Sequence, residues 1–154
     1  MSEQRRPRTL VLDTSVAVKF HLLEDDQEEI EALEAAVGDR RVGLHAPGTL
    51  LPEAFNALWQ RHRRGELSRE EVSEAWEVIS AIPLSLYGPE DLIPRAVEIT
   101  FESGAIIYDA LFLALAEETG TVMVTADDKL LRTLKGTSYA DLARSLAEID
   151  SLLH

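Results

Sequence analysis

The chain alternates short apolar runs with longer stretches of helical spacing, and that alternation restricts the fold more than any other feature. Thr9-Leu10-Val11-Leu12 ends at Asp13, and Thr121-Val122-Met123-Val124 ends before Thr125. Runs this short and this apolar suit strands buried on both faces of a sheet. Residues 41–46 form a weaker candidate strand closed by Pro47-Gly48, and residues 83–87 form another. Residues 14–20 supply one or two helical turns, and 24–38 a surface helix with Ile30, Leu33 and Val37 on its inner face. Over 49–64, Leu51, Phe55, Leu58 and Trp59 recur at helical spacing, with Gly65 as the stop. Ser68 followed by Glu71 is a capping box, opening a helix whose inner stripe is Val72, Ala75, Trp76 and Ile79. On this reading Trp59 and Trp76 both pack inward, with a groove for a protein partner on the apolar faces of their two helices as the alternative. Further helices are expected over 89–102, with Leu92, Ile93, Ala96, Val97 and Phe101 inward, and over 109–118, 127–134 and 139–152. Strands that alternate with helices need crossover connections, which makes the sheet parallel. The expected architecture is a three-layer α/β/α domain over residues 9–154 with four or five strands, behind a leader of residues 1–8.

Composition narrows the chemistry. The chain of 154 residues has the length of one ordinary domain. It contains no cysteine, which excludes disulfide staples, thiol nucleophiles and thiolate metal sites. His21, His45, His62 and His154 are scattered without ligand spacing. The longest apolar run, residues 110–116, is far short of a membrane span, and the leader lacks the apolar stretch of a secretory signal. A soluble cytoplasmic protein without membrane contact is therefore expected. A formal charge of −13 disfavours a protein that coats DNA or an anionic membrane. It leaves room for a nucleic-acid enzyme whose carboxylates are neutralised by metal.

Four carboxylates have one plausible destination. Ligands of an open parallel sheet bind beyond the carboxyl ends of its strands. Asp13 follows the first strand directly, and Asp127 stands three residues after Val124. Asp109 heads the apolar helix that feeds the last clear strand, and Glu53 lies in the first turns of its helix after Pro52. Taken singly, each aspartate reads as an N-cap and Glu53 as a complement to a helix dipole. Taken together in one cleft they would repel strongly without a cation. Oxygen donors without cysteine or paired histidine select Mg²⁺ or Mn²⁺ over zinc. Such ions lower the pKa of a bound water and stabilise charge on a phosphoryl oxygen. Ser15 has no histidine to activate it, and no G-x-S-x-G elbow occurs.

Leu12-Asp13-Thr14-Ser15-Val16, Glu53-Ala54-Phe55-Asn56-Ala57-Leu58, Tyr108-Asp109-Ala110-Leu111-Phe112-Leu113-Ala114-Leu115-Ala116 and Thr125-Ala126-Asp127-Asp128-Lys129-Leu130 follow in this order over most of the chain. In these pieces the sequence resembles a PIN-domain ribonuclease of the VapC-like toxin group. The resemblance implies a PIN-like fold with Asp13, Glu53, Asp109 and Asp127 as an acidic metal site, catalysing Mg²⁺- or Mn²⁺-dependent hydrolysis of RNA. It also implies Thr14, Ser15 and Thr125 as hydroxyls that orient carboxylates or a phosphate, with helix capping as their alternative role, and Asp128 as an auxiliary to Asp127. A small antitoxin and a second copy of the chain are the implied protein partners.

Two features depart from the pattern. No clean final strand follows Lys135, where 139–152 patterns best as a helix although a short strand at its start is open. The chain is also acidic for an RNA cleaver, since two divalent ions would offset only four of its thirteen net negative charges. Local cations must then steer the substrate. Arg5, Arg6 and Arg8, then Arg40 and Arg41, then Arg61, Arg63 and Arg64 are the available clusters. The last lies about 12 to 16 Å from Glu53 along its helix, where phosphate contact competes with a simply solvated helix end. Two other readings stand beside the ribonuclease. One is a catalytically idle PIN-like binding scaffold. The other is a phosphotransfer domain with Asp13 as acceptor, which lacks the second aspartate of a D-x-D-x-T loop.

Overall fold

A computed structural model describes residues 8–22 and 25–154 of the chain. Its elements run β1 (Arg8–Leu12), α1 (Thr14–Ala17), α2 (Gln27–Gly38), β2 (Val42–Pro47), α3 (Leu50–Arg63), α4 (Arg69–Ser80), β3 (Leu84–Tyr87), α5 (Pro89–Ser103), α6 (Ile107–Thr119), β4 (Met123–Thr125), α7 (Asp128–Leu134), β5 (Ala143–Ser145) and α8 (Ile149–Leu153). The five strands form one sheet in the order β3-β2-β1-β4-β5, and every neighbouring pair is parallel. From β1 the chain steps outward to β2 and β3, then returns to the other side of β1 for β4 and β5. Right-handed crossovers therefore place the two sets of helices on opposite faces. The expected three-layer architecture is present, with five strands.

The reversal of direction falls between β1 and β4. Leu12 is in register with Val124, and the Asp13 N–H donates to the Val124 carbonyl at 3.1 Å. Such a switch point opens a crevice at the carboxyl ends of the two strands. The loop after β1 and the loop after β4 both open into it.

Helix α6 is the hydrophobic centre. It packs on β1, β2 and β4 and against α5, and every residue from Ala110 to Ala116 is buried. A helix apolar on all sides can be satisfied only by neighbours all round. Gly120, at φ +68°, closes it in a left-handed conformation that favours glycine. The Ser68–Glu71 capping box starts α4 as expected.

Several expectations need correction. Arg8, assigned to the leader, opens β1, while Arg41 precedes β2. Glu24, Arg5 and Arg6 lie outside the described residues. The segment 139–152 is broken rather than one helix: a 3-10 turn, β5, a second 3-10 turn and α8 follow each other. Pairing of Met123, Val124 and Thr125 with residues 143–145 wins there over helical periodicity. Phe55, Trp59, Ile93, Val97 and Phe101 are exposed rather than inward, Phe101 to 86%. Ala54 and Leu58 carry the buried face of α3, and Leu92, Ala96 and Ile99 that of α5.

Because Leu113 is fully buried in α6, Leu113→Ala is expected to destabilise the fold by about 2–5 kcal/mol. Urea unfolding of the two proteins measures it. Leu86→Ala, at an exposed site on β3, should change stability far less.

Candidate active site

Asp13 holds the N-cap position of α1, but its side chain makes no capping hydrogen bond to the N2 or N3 position of that helix. The carboxylate is instead buried to 5% exposure, and its Oδ2 accepts from Ser15 Oγ at 2.6 Å and Thr125 Oγ1 at 2.7 Å. Ser15 Oγ accepts from the Ala126 N–H and Thr125 Oγ1 from the Asp127 N–H. Each hydroxyl has one proton, already given to Asp13, so their mutual 3.3 Å contact is proximity and not a further bond. Ser15 and Thr125 thus both donate to the same oxygen of Asp13. Burial pushes the Asp13 carboxyl up, against the donors Ser15, Thr125 and the Thr14 backbone, and the charge of Asp127 adds to the rise.

Glu53 projects from the first turn of α3. Its Oε2 accepts from Thr14 Oγ1 at 3.0 Å, which ties α3 to α1. Its Oε1 is buried without a hydrogen-bond partner, as is Thr49 Oγ1 just before the helix. An orphaned carboxylate oxygen costs free energy unless something positive or protonated meets it. Burial raises the Glu53 pKa, the nearby hydroxyls of Thr14 and Thr49 oppose the rise, and the charge of Asp13 adds to it.

Asp109 is no N-cap, because Ile106 holds that position and Asp109 lies in the first turn of α6. Its pKa is pushed up to about 7, first by burial and then by the charges of Asp13, Asp127 and Glu53. Every charge acting on it is negative. Asp127 is the true cap, its Oδ1 accepting from the Lys129 N–H at 3.0 Å and the Leu130 N–H at 3.2 Å. The four carboxylates thus come within electrostatic reach of one another at the sheet's switch point.

Asp128 is exposed on the first turn of α7. Its charge is not among those acting on Asp109. Arg61 and Arg63 lie in the last turn of α3 and Arg64 at its C-cap, at the opposite end from Glu53, with Arg64 paired to Glu66 at 3.0 Å. The fold therefore does not bring this cluster to the carboxylates. Thr49, Asn56, Ile106 and Tyr108 do line the open cleft of about 580 Å³ that holds Glu53 and Asp109. Sequence reasoning assigned them no role, although Asn56 follows Glu53 by nearly one turn and Tyr108 adjoins Asp109.

A phosphoacceptor needs an accessible carboxylate. Asp13, nearly buried and doubly bonded at Oδ2, does not offer one. For a cation the fit is better, through the unpartnered Glu53 oxygen and the uncompensated negative charge. Among the described residues no three His, Asp or Glu side chains close tightly enough to enclose an ion unaided. The donor set suits a hard cation that keeps part of its water shell.

Residues 10–135 match the PIN domain. The chain belongs to the PIN domain family. This PIN domain is 30% identical to ribonuclease VapC3 of Pyrobaculum aerophilum over 125 residues, which cover 79% of this chain and 91% of that protein. Its fold is that of the crystal structure of PAE2754 from the same organism, with a TM-score of 0.61, 20% identity and coverage of 98% and 96% of the two chains. A toxin–antitoxin complex from Klebsiella pneumoniae contains a similar fold, with a TM-score of 0.57 and 14% identity over 89% of this chain and 97% of that one. No single helix among the described residues of this PIN domain is long and apolar enough to cross a membrane.

The raised pKa of Asp109 has a consequence for stability. Its folded value of about 7 exceeds the ordinary 3.8, so between these pH values the folded chain keeps a proton that the unfolded chain releases. Stability from this group is therefore lost as pH rises through 7. Asp109→Asn removes the penalty, by about 1–2 kcal/mol at pH 8 after allowance for solvent screening. Thermal unfolding in EDTA should show the variant melting several degrees above the parent at pH 8, with the gap narrowing towards pH 5.

Proposed function

We propose that this PIN domain is a Mg²⁺- or Mn²⁺-dependent endoribonuclease and the toxin of a toxin–antitoxin pair. The observation that carries the reading is the gathering of Asp13, Glu53, Asp109 and Asp127 where every charge acting on Asp109 is negative and one buried Glu53 oxygen lacks a partner. The similarity to a protein named as a ribonuclease, across most of both chains, supports the substrate class.

Asp13, Glu53, Asp109 and Asp127 are the residues that would hold the ion. When bound, a divalent ion supplies a water of lowered pKa and stabilises charge on a phosphoryl oxygen. The chain's own part is positioning. Ser15 and Thr125 fix Asp13 through Oδ2, Thr14 fixes Glu53 through Oε2, and the first N–H groups of α7 hold Asp127. Carboxylates so restrained need little reorganisation as charge develops on the scissile phosphate. Hydrolysis by water leaves a 5′-phosphate and a 3′-hydroxyl on this reading, and no side-chain nucleophile is consumed.

Two protein partners belong to the same proposal. A small antitoxin with a basic tail would neutralise the cleft and exclude metal and RNA. A second copy would cover the exposed apolar stripe of Ile93, Val97 and Phe101 on α5.

With purified protein, Asp13→Asn and Asp109→Asn should each lower Mg²⁺-dependent RNA cleavage at least about a hundredfold while leaving circular dichroism unchanged. A circular RNA, which has no end to digest, should be opened by the parent. Wild-type rates in both variants would end the assignment. In analytical ultracentrifugation Phe101→Glu should convert a dimer to a monomer, and a parent that sediments as a monomer would remove the second copy from the proposal.

A further inference from the structure

The cleft that holds Glu53 and Asp109 is bordered by neutral side chains as well, Pro52 and Asn56 on α3 and Ile106 and Tyr108 at the start of α6. No lysine or arginine lines it, and both of its charged side chains are carboxylates. A polyanion approaching those carboxylates is repelled by both, and a bound cation attracts chiefly the phosphate beside it. Any further attraction that the cleft has for a strand must come from its neutral wall.

Tyr108 is the aromatic member of that wall. It is 55% exposed and makes no hydrogen bond and no ring contact among the described residues. Its neighbours do the packing: Ala105 is buried, Ile107 packs against the core, and residues 110–116 are buried throughout. The fold does not need a large ring at position 108. The location of that ring is what matters. Consecutive Cα atoms lie about 3.8 Å apart, so Tyr108 stands one residue from a carboxylate that would share a cation with the scissile phosphate. A base on the nucleotide that carries this phosphate falls within reach of the ring. Stacking requires what Tyr108 has, an accessible π face with no partner already in place.

We propose that Tyr108 stacks on the nucleobase next to the scissile phosphate and so seats the RNA strand in the cleft. This rests on the ribonuclease reading and adds to it a substrate contact that the chain makes itself, without the cation. The stack uses the ring face, so the tyrosine hydroxyl is dispensable. Every base has a π face, so the contact holds the strand without selecting its sequence.

Because the contact does not pass through a metal, it is open to test in EDTA. The full-length Asp109→Asn protein, with one repelling charge removed, should crosslink at Tyr108 when irradiated with a short oligomer of 5-iodouridylate, as located by mass spectrometry of the crosslinked peptide. In Mg²⁺, Tyr108→Ala should raise KM for a short RNA about tenfold while kcat changes far less, and Tyr108→Phe should keep the KM of the parent. Position 108 is exposed, so both variants should fold, with circular dichroism as the check. No crosslink, a crosslink confined to other residues, an unchanged KM in Tyr108→Ala, or equal losses in Tyr108→Ala and Tyr108→Phe would each overturn the inference. Its failure is distinguishable from that of the ribonuclease reading. A parent that cleaves RNA while Tyr108→Ala keeps the parental KM refutes the stacking role alone, and a parent that leaves circular RNA intact refutes the ribonuclease whatever crosslinks to Tyr108.

Discussion

The site depends on the adjacency of β1 and β4. One backbone bond, from the Asp13 N–H to the Val124 carbonyl, fixes how far each strand runs before its loop departs. Once that register is set, Ser15 and Thr125 lie close enough to give both their protons to the same Asp13 oxygen. The Thr125 hydroxyl also receives the Asp127 N–H, so positioning one carboxylate positions the backbone of the other. A shift of register by one residue would turn Thr125 to the opposite face and dissolve the network.

Gathering like charges at such a point is unfavourable, and the fold offsets part of the cost with helix ends. Asp13 precedes α1, Glu53 and Asp109 sit in the first turns of α3 and α6, and Asp127 caps α7. The N-terminal end of a helix favours a carboxylate by fractions of a kcal/mol to about 2 kcal/mol. That does not neutralise four charges, and the upward pKa shifts of Asp13, Glu53 and Asp109 show what is left over. Rigidity comes from behind. The buried residues of α6 hold Asp109 against the sheet, so the repulsion cannot be relieved by simply moving that helix outward.

Legibility in the sequence followed the physical origin of each feature. Asp13 and Asp127 could be placed because short apolar runs mark strands buried on both faces, and strand ends mark the crevice. The apolar run after Asp109 announced a wholly buried helix, but not that the cap would be Ile106 and the aspartate one turn inside. Helical periodicity failed where an apolar stripe serves a surface. Phe55, Trp59, Val97 and Phe101 share the spacing of core residues yet are exposed, because Ala54, Leu58, Ala96 and Ile99 already fill the inner face. The last strand was obscured for a different reason. Three residues pairing at a sheet edge carry too little pattern to compete with the helical spacing around them. Asn56 and Tyr108 were within the quoted motifs, but their place in the cleft depends on how α3 and α6 meet, which is tertiary.

The charge distribution along α3 joins stability to function. Glu53 occupies its first turn and Arg61, His62 and Arg63 its last, the order that the helix macrodipole favours at both ends. Reversing the order would penalise the helix by its own electrostatics, so the acidic end and the basic end are fixed relative to the sheet once α3 is docked through Ala54 and Leu58. On the proposed function this polarity has a use. The end at the switch point presents carboxylates that would hold a cation, while the far end carries Arg61, Arg63 and Arg64.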